Sequence, residues 1–402
     1  KLFCSGDLLG RQFPASGVRG RAAADIKRTV FRTCTRAMTC KTYTGSMLGR
    51  LFHPASGCEI VNAQALCSDL EECLSTATFS SPASAQAATL QVRASLRSVI
   101  QVLEESRSPR SSNQLVTSLL EANLPARMLA VMVDLDFEAR KDVMRLFGAL
   151  LRLGTQPVVE NLRGNPQILQ LLLDGCGNEE VALNSNMMLR SCAHNPKLVG
   201  TMLEAGFAMG LLKLTGHENF SISSDAFASL REVLLTHKAI SAEYLAKRST
   251  EFFEKFNALL QRDDYVTKRQ GLRLLGEILL DRSFMKVMLA YVGNEQYLQI
   301  HMNLLRENSK ALQVDAFHIF KIFAANPKKP QKVQQILYKN RERLIKLIGT
   351  LKPNKGEDTS FTDDQAAVVK SLMSLEAPPM KKSLGAGKAA DGEPGVWVSA
   401  VA

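Results

Sequence analysis

The chain holds a single tryptophan, Trp397, and aromatic residues make up only 6% of its 402 positions. A Leu-rich, helix-rich interior is the expected consequence. Cys4, Cys34, Cys40, Cys58, Cys67, Cys73, Cys176 and Cys192 contain no C-x-x-C pair. That removes the usual zinc and disulfide frameworks and reads as reduced, mostly buried thiols of a cytoplasmic protein. No apolar run reaches the roughly 18 residues of a membrane-spanning helix. The six histidines are scattered without zinc-site spacing. Phosphate-binding glycine loops, zinc-protease helices, nucleophile elbows and kinase catalytic elements are all missing. Asp134, Asp136 and Glu138 alternate in MVDLDFEARKD, but the glycine and terminal glutamate of a calcium loop are absent, so they read as a turn and a helix start. The sequence thus points away from an enzyme, a metal site or a cofactor.

Positive charge is plentiful but concentrated. The formal charge is +11, and residues 1–46 supply +7 of it through nine Lys/Arg against two acids, leaving +4 for the other 356 residues. The high isoelectric point is a property of the leader and argues poorly for nucleic-acid binding by the folded part. Residues 1–46 read as a disordered basic extension upstream of Met47, with a transit peptide as the alternative. Residues 47–375 read as one repeat domain and 376–402 as a disordered tail of Gly, Ala and Pro.

What the chain does have is a repeat. A small or medium residue is followed by large apolar residues four and seven positions on, in Val143/Phe147/Leu150, Ser185/Leu189/Cys192, Ala226/Leu230/Val233, Gly271/Leu275/Ile278 and Ala316/Phe320/Phe323. Units are offset by 42, 41, 45 and 45 residues. Positions i, i+4 and i+7 share one helix face. A wholly helical period of about 40–47 residues predicts an all-α armadillo/HEAT-like solenoid, a curved rod that buries one helix face between neighbours and offers another to a ligand. Helices are expected over 59–77, 85–106, 112–121, 124–133, 137–153, 166–174, 178–193, 196–205, 222–237, 240–261, 265–281, 284–292, 295–307, 311–325, 332–351 and 362–374. Ser80–Ser84 and Ser106–Asn113 are expected to be loops. Ser224 and Asp225 suit a helix start, and His194 and His237 suit carbonyl capping at helix ends.

On a helical wheel Arg269, Arg273, Gly276 and Leu280 oppose the apolar face of their helix. The 45-residue offset adds Arg231, His318 and Lys321 at matching outer positions. Stacking is expected to align these into a shallow basic ridge with apolar gaps.

Several stretches carry a resemblance: ALNSNMMLRSCAHNP (182–196), SDAFASLREVLLTHK (224–238), SAEYLAKRSTEFFEKFNALL (241–260), YVTKRQGLRLLGEILLDR (265–282), MNLLRENSKALQVDAFHIFKIFAANP (302–327) and ILYKN (336–340). The chain is similar to the calcium-binding protein 39 family, also called mouse-protein-twenty-five-like scaffolds, and MLGRLFHPA (47–55) resembles that family's start. The resemblance implies a curved, non-catalytic rod that binds STRAD-type pseudokinases and kinases of the sterile-twenty group and activates them allosterically. No calcium requirement is expected. It also implies site residues: Phe220 as an exposed aromatic anchor, Arg269 and Arg273 as basic contacts on the concave side, and Arg282, Met302 and Lys339 around a Trp-Glu-Phe partner tail. Where the family reads Asp-Arg-x-Asn-Phe, this chain has Asp281-Arg282-Ser283-Phe284-Met285, so Met285 takes the place of an aromatic wall, and Gln299 replaces a usual Lys. The alternative is a generic armadillo-repeat adaptor for an unrelated peptide cargo.

Overall fold

The computed structural model describes residues 63–76, 81–105, 109–153, 156–352 and 358–377. The expectations for residues 1–46, for the start at Met47 and for most of the tail, Trp397 included, lie outside the described residues.

The described residues form α-helices and one 3₁₀ turn. They are α1 (Ala63–Thr76), α2 (Pro82–Glu105), α3 (Pro109–Glu121), α4 (Leu124–Val131), α5 (Phe137–Arg152), α6 (Gln156–Gly164), α7 (Pro166–Cys176), α8 (Ala182–Ala193), α9 (Pro196–Glu204) and α10 (Phe207–Leu214). They continue with α11 (Phe220–Leu235), α12 (Lys238–Leu260), α13 (Tyr265–Leu280), the 3₁₀ turn Arg282–Phe284, α14 (Met285–Val292), α15 (Glu295–Leu304), α16 (Lys310–Ala325), α17 (Gln331–Thr350) and α18 (Asp358–Met373). The expected helices are present with shifted ends. Two short ones, α6 and α10, were not expected, and α3 occupies part of the anticipated Ser106–Asn113 loop, with Pro109 at its first position.

Local chemistry sets the starts. Asp136 accepts the Ala139 N–H at 2.7 Å, Asn195 the N–H groups of Lys197 and Leu198, Asp264 those of Val266 and Thr267, and Asn294 those of Gln296 and Tyr297. Each side chain satisfies amides that a first helical turn leaves without partners. Helix α11 departs from expectation. It is capped by Asn219 on the Ser221 N–H, so Asp225 falls a turn inside, where it pairs with Arg190 of α8 at 3.8 Å.

The helices stack as a solenoid in three rows. The first row is α2, α5, α8, α11, α13, α16 and α18, each packed on the next. Shorter helices fill the other rows: α3, α6 and α9 pack in sequence, as do α4, α7 and α10. Helix α12 packs against both α9 and α10, and so closes two rows with one element. Its backbone leaves helical geometry at Arg248 (φ −124°, ψ 24°), which kinks it there.

All five apolar triplets of the repeat lie inside. Leu230, Leu275 and Phe320 are wholly enclosed, and each such side chain contributes about 1.5–3 kcal/mol through burial. In two of the triplets the small first member has a packing reason. A Cβ on Gly271 would stand 2.8 Å from Leu260 Cδ2 of α12. Gly175 and Ser185 make a similar close approach between α7 and α8, where a Cβ on Gly175 would lie 3.0 Å from Ser185 Cβ and nearer still to its Oγ. Gly175→Ala is expected to lower stability by about 1–3 kcal/mol through overpacking, read by urea denaturation. Ser185→Ala should restore part of the loss, because it removes the nearest atom.

Candidate docking surface

The exposed side of the first row carries a ladder of ion pairs. Arg93 and Arg97 of α2 meet Asp142 of α5 at 3.6 and 2.9 Å. Arg231 of α11 meets Glu277 of α13 at 2.7 Å, Arg269 of α13 meets Asp315 of α16 at 3.5 Å, and Lys321 of α16 meets Asp364 of α18. Partners are separated by 43 to 49 residues, so neighbouring helices run parallel and in register.

This ladder corrects the expected basic ridge. Arg231 and Lys321 are neutralised by the next helix. His318 packs edge-on to Phe361, with ring centroids 5.9 Å apart. Arg269 is half-buried, its side chain 34% exposed, and besides Asp315 it donates from Nη1 to the Tyr265 hydroxyl at 2.9 Å. Arg273, one turn further along the same face, is exposed and pairs with no acid among the described residues. The ridge is thus a charge-balanced surface with one prominent cation.

Phe220 stands at the first position of α11 and is 65% exposed. A buried aromatic would be core, whereas this one is held out in water at a capped helix start. Helices α11 and α13 are row neighbours, so Phe220, Tyr265 and Arg273 share one side of the molecule. Tyr265 was missed in the sequence. Its signal was its place four residues before Arg269, on the same helix face.

Between the C-terminal halves of α11 and α13 opens a cavity of about 520 Å³, lined by Arg231, Leu235, Lys238, Glu277, Leu280 and Asp281. The Arg231–Glu277 pair and a 2.6 Å pair from Lys238 to Asp281 join its two walls. Lys238 and the Ser283 N–H hold the Asp281 carboxyl down to about 2. Asp281 also caps the 3₁₀ turn that carries Arg282.

The second expected cluster is only partly assembled. Arg282 and Met285 are exposed and adjoin at the start of α14. Lys339 is exposed on α17, and α15 packs against both α14 and α17. Met302 is corrected: it lies on α15 wholly buried and presents no surface to a partner. Leu298, Met302 and Leu305 are all buried, and their spacing is the same i, i+4, i+7 signature that marks the core elsewhere. Phe284 is likewise enclosed while Met285 faces water, as a one-residue step of about 100° demands.

Nucleophile chemistry finds little support in the described cysteines. Cys67, Cys176 and Cys192 are buried, and burial pushes their thiols up to about 11, 12 and 12. Among the described residues no group of three or more His, Cys, Asp or Glu could hold a metal, and no helix is long and apolar enough to cross a membrane. His194 and His237 contact the Arg190 and His194 carbonyls at 2.8 and 2.9 Å.

The sequence model of the family described as Mo25-like matches residues 59–376. The Homo sapiens protein named calcium-binding protein 39-like is 34% identical over 296 residues, which cover 72% of this chain and 88% of that protein. The Mo25-like protein of Schizosaccharomyces pombe is 36% identical over 260 residues, covering 64% and 79%. Among solved structures, a designed armadillo repeat protein in complex with the peptide (KR)4 aligns over 63% of this chain and 99% of its own at 14% identity, with a TM-score of 0.35.

Proposed function

Because the chain belongs to the Mo25-like family, we propose that it is a non-catalytic scaffold that binds protein kinases or pseudokinases of the sterile-twenty/STRAD group in the cytoplasm and activates them allosterically. The observation that carries this reading is the pairing of an exposed aromatic, Phe220, with an exposed cation lacking an acidic partner, Arg273, on adjacent parallel helices. An aromatic anchor beside an arginine is the composition in which binding energy concentrates at protein interfaces. The first-row surface would grip the small lobe of the kinase and hold its regulatory helix inward, where the Lys–Glu ion pair of an active kinase forms. To carry a kinase from mostly inactive to mostly active, the scaffold must prefer the active conformation by roughly 5.5 kcal/mol. Arg282, Met285 and Lys339 form a secondary contact for a partner tail.

The test is reconstitution. Adding the purified chain to a STRAD-type pseudokinase and its client kinase should raise phosphate transfer to a peptide substrate at least tenfold. Absence of binding to any pseudokinase or kinase of this group would overturn the reading.

A further inference from the structure

The charge that follows the leader is unevenly placed. Residues 328–352 hold eight Lys/Arg and a single acid, Glu342, and so carry +7. The rest of the chain after residue 46 sums to −3. Most of the positive run is α17, a helix of the last repeat that packs on α15 and α18. No helix follows α18 among the described residues, so no further repeat covers the outer side of α17 there.

Four of its cations stand in one line. At 100° per residue, Lys332, Lys339, Arg343 and Lys346 fall within about 60° of one another, and the rise from first to last is about 21 Å. All four are exposed. Lys332 is paired with Glu295 of α15 at 2.8 Å, whereas Lys339 and Lys346 pair with no acid among the described residues. Lys328 and Lys352, exposed and equally without an acid, add charge just beyond the two ends of the helix.

The last repeat of a solenoid needs a polar outer face, but not a face of one sign. Helix α12 shows the balanced solution: on its outer face Lys247 meets Glu243 at 2.8 Å and Lys255 meets Glu251 at 3.7 Å. On α17, Lys339 and Arg343 stand four residues apart and Arg343 and Lys346 three apart, spacings at which like charges repel. Cations gathered in this way set up a field that an anionic surface answers.

We propose that the basic stripe of α17 docks the chain on an anionic phospholipid bilayer. Clusters of Lys and Arg on the polar face of an amphipathic helix are attracted to anionic headgroups. The stripe suits a surface better than a chain-like ligand. Every Val, Ile, Leu and Tyr of α17 is buried or half-buried, so the helix offers a peptide no apolar anchor. Tyr338 lies under the Arg341 guanidinium, 4.2 Å from its ring centroid, and is not free to stack on a base. A bilayer requires neither, because its anionic lipids diffuse to wherever the cations stand. The contact is electrostatic and superficial, without insertion. It neither requires a kinase partner nor uses Phe220 and Arg273, which stand on α11 and α13.

Vesicle flotation tests it. The full chain carries Arg19→Gln/Arg21→Gln/Lys27→Gln/Arg28→Gln, so that the basic leader does not dominate. It is mixed with vesicles of phosphatidylcholine alone or with about 30% phosphatidylserine, at about 50 and 300 mM NaCl. Binding should require phosphatidylserine and fall about tenfold or more at the higher salt. Lys328→Glu/Lys346→Glu/Lys352→Glu, all surface changes checked by circular dichroism, should weaken it about thirtyfold or more. Lys328→Arg/Lys346→Arg/Lys352→Arg should bind as the parent does. Absence of binding to the charged vesicles, parent-like binding by the glutamate variant, or a tighter hold on double-stranded DNA than on the charged vesicles would overturn the proposal. Vesicle binding that persists while reconstituted kinases stay silent would overturn the kinase reading and leave the membrane contact standing.

Discussion

A chain carrying Phe220→Ala and Arg273→Glu is expected to lose at least a hundredfold in affinity for its kinase partner while melting within a degree or two of the parent. Truncating a buried aromatic anchor at an interface removes about 2–4 kcal/mol, and reversing a contacting charge adds like-charge repulsion. Both side chains are exposed in the unbound protein, so neither change touches the core. Arg269→Glu is a poorer probe. It would set a second carboxylate 3.5 Å from Asp315, whose side chain is only 12% exposed, and the fold itself would weaken. The comparison is made by surface plasmon resonance and thermal melting together. Parent-like affinity in the double variant would remove Phe220 and Arg273 from the contact.

Acid should weaken this protein through His301. The imidazole is fully buried on α15, with Nε2 2.8 Å from the Tyr291 hydroxyl, which in turn donates to Asn257 Oδ1 at 2.7 Å. With that hydroxyl committed to Asn257, Nε2–H donates to its oxygen, and Nδ1 is left buried with no partner. A proton on Nδ1 would charge the ring inside the apolar core, and burial pushes the pKa from 6.5 to about 3. The unfolded chain therefore takes up a proton between pH 6.5 and 3 that the folded chain refuses. Stability is complete above pH 6.5 and declines as pH falls through that window, by about 1.4 kcal/mol per unit and on the order of 5 kcal/mol at the acid limit. His301→Gln keeps a donor for Tyr291 and cannot titrate. Urea midpoints of parent and variant should diverge steadily from pH 6.5 to 4.5. Parallel curves would show that His301 does not carry the acid response.

Much of the architecture was readable from periodicity, because a buried helix face writes its spacing directly into the chain. The five triplets named the first-row helices from α5 to α16 and their inward sides. Helices α6 and α10 escaped because each spans about two turns, one ending at Gly164 and the other following Gly206, whose φ is +86°. The surface was harder. A helical wheel gives the direction of Arg231, but its neutralisation by Glu277 depends on a residue 46 positions away. Ending the expected helix at residue 222 left Phe220 outside it, and one turn more places it on the exposed rim. Met302 was drawn to the surface by resemblance although Leu298 and Leu305 beside it already spelled an interior position.

The rungs between first-row helices do not sit at one height. Arg231 meets Glu277 near the C-terminal halves of α11 and α13, whereas Arg269 meets Asp315 one turn from the start of α13 and α16. If the segment 265–309 were excised and α11 brought against α16, the 45-residue offset would place Arg231 opposite Ile322 and Asp315 opposite Ser224. Arg231 would then face an apolar side chain in place of its carboxylate, and the Arg269–Asp315 pair would be lost. The modules therefore carry addresses: each can recognise its rightful successor, and a shuffled or swapped assembly would be rejected electrostatically before any difference in shape came into play.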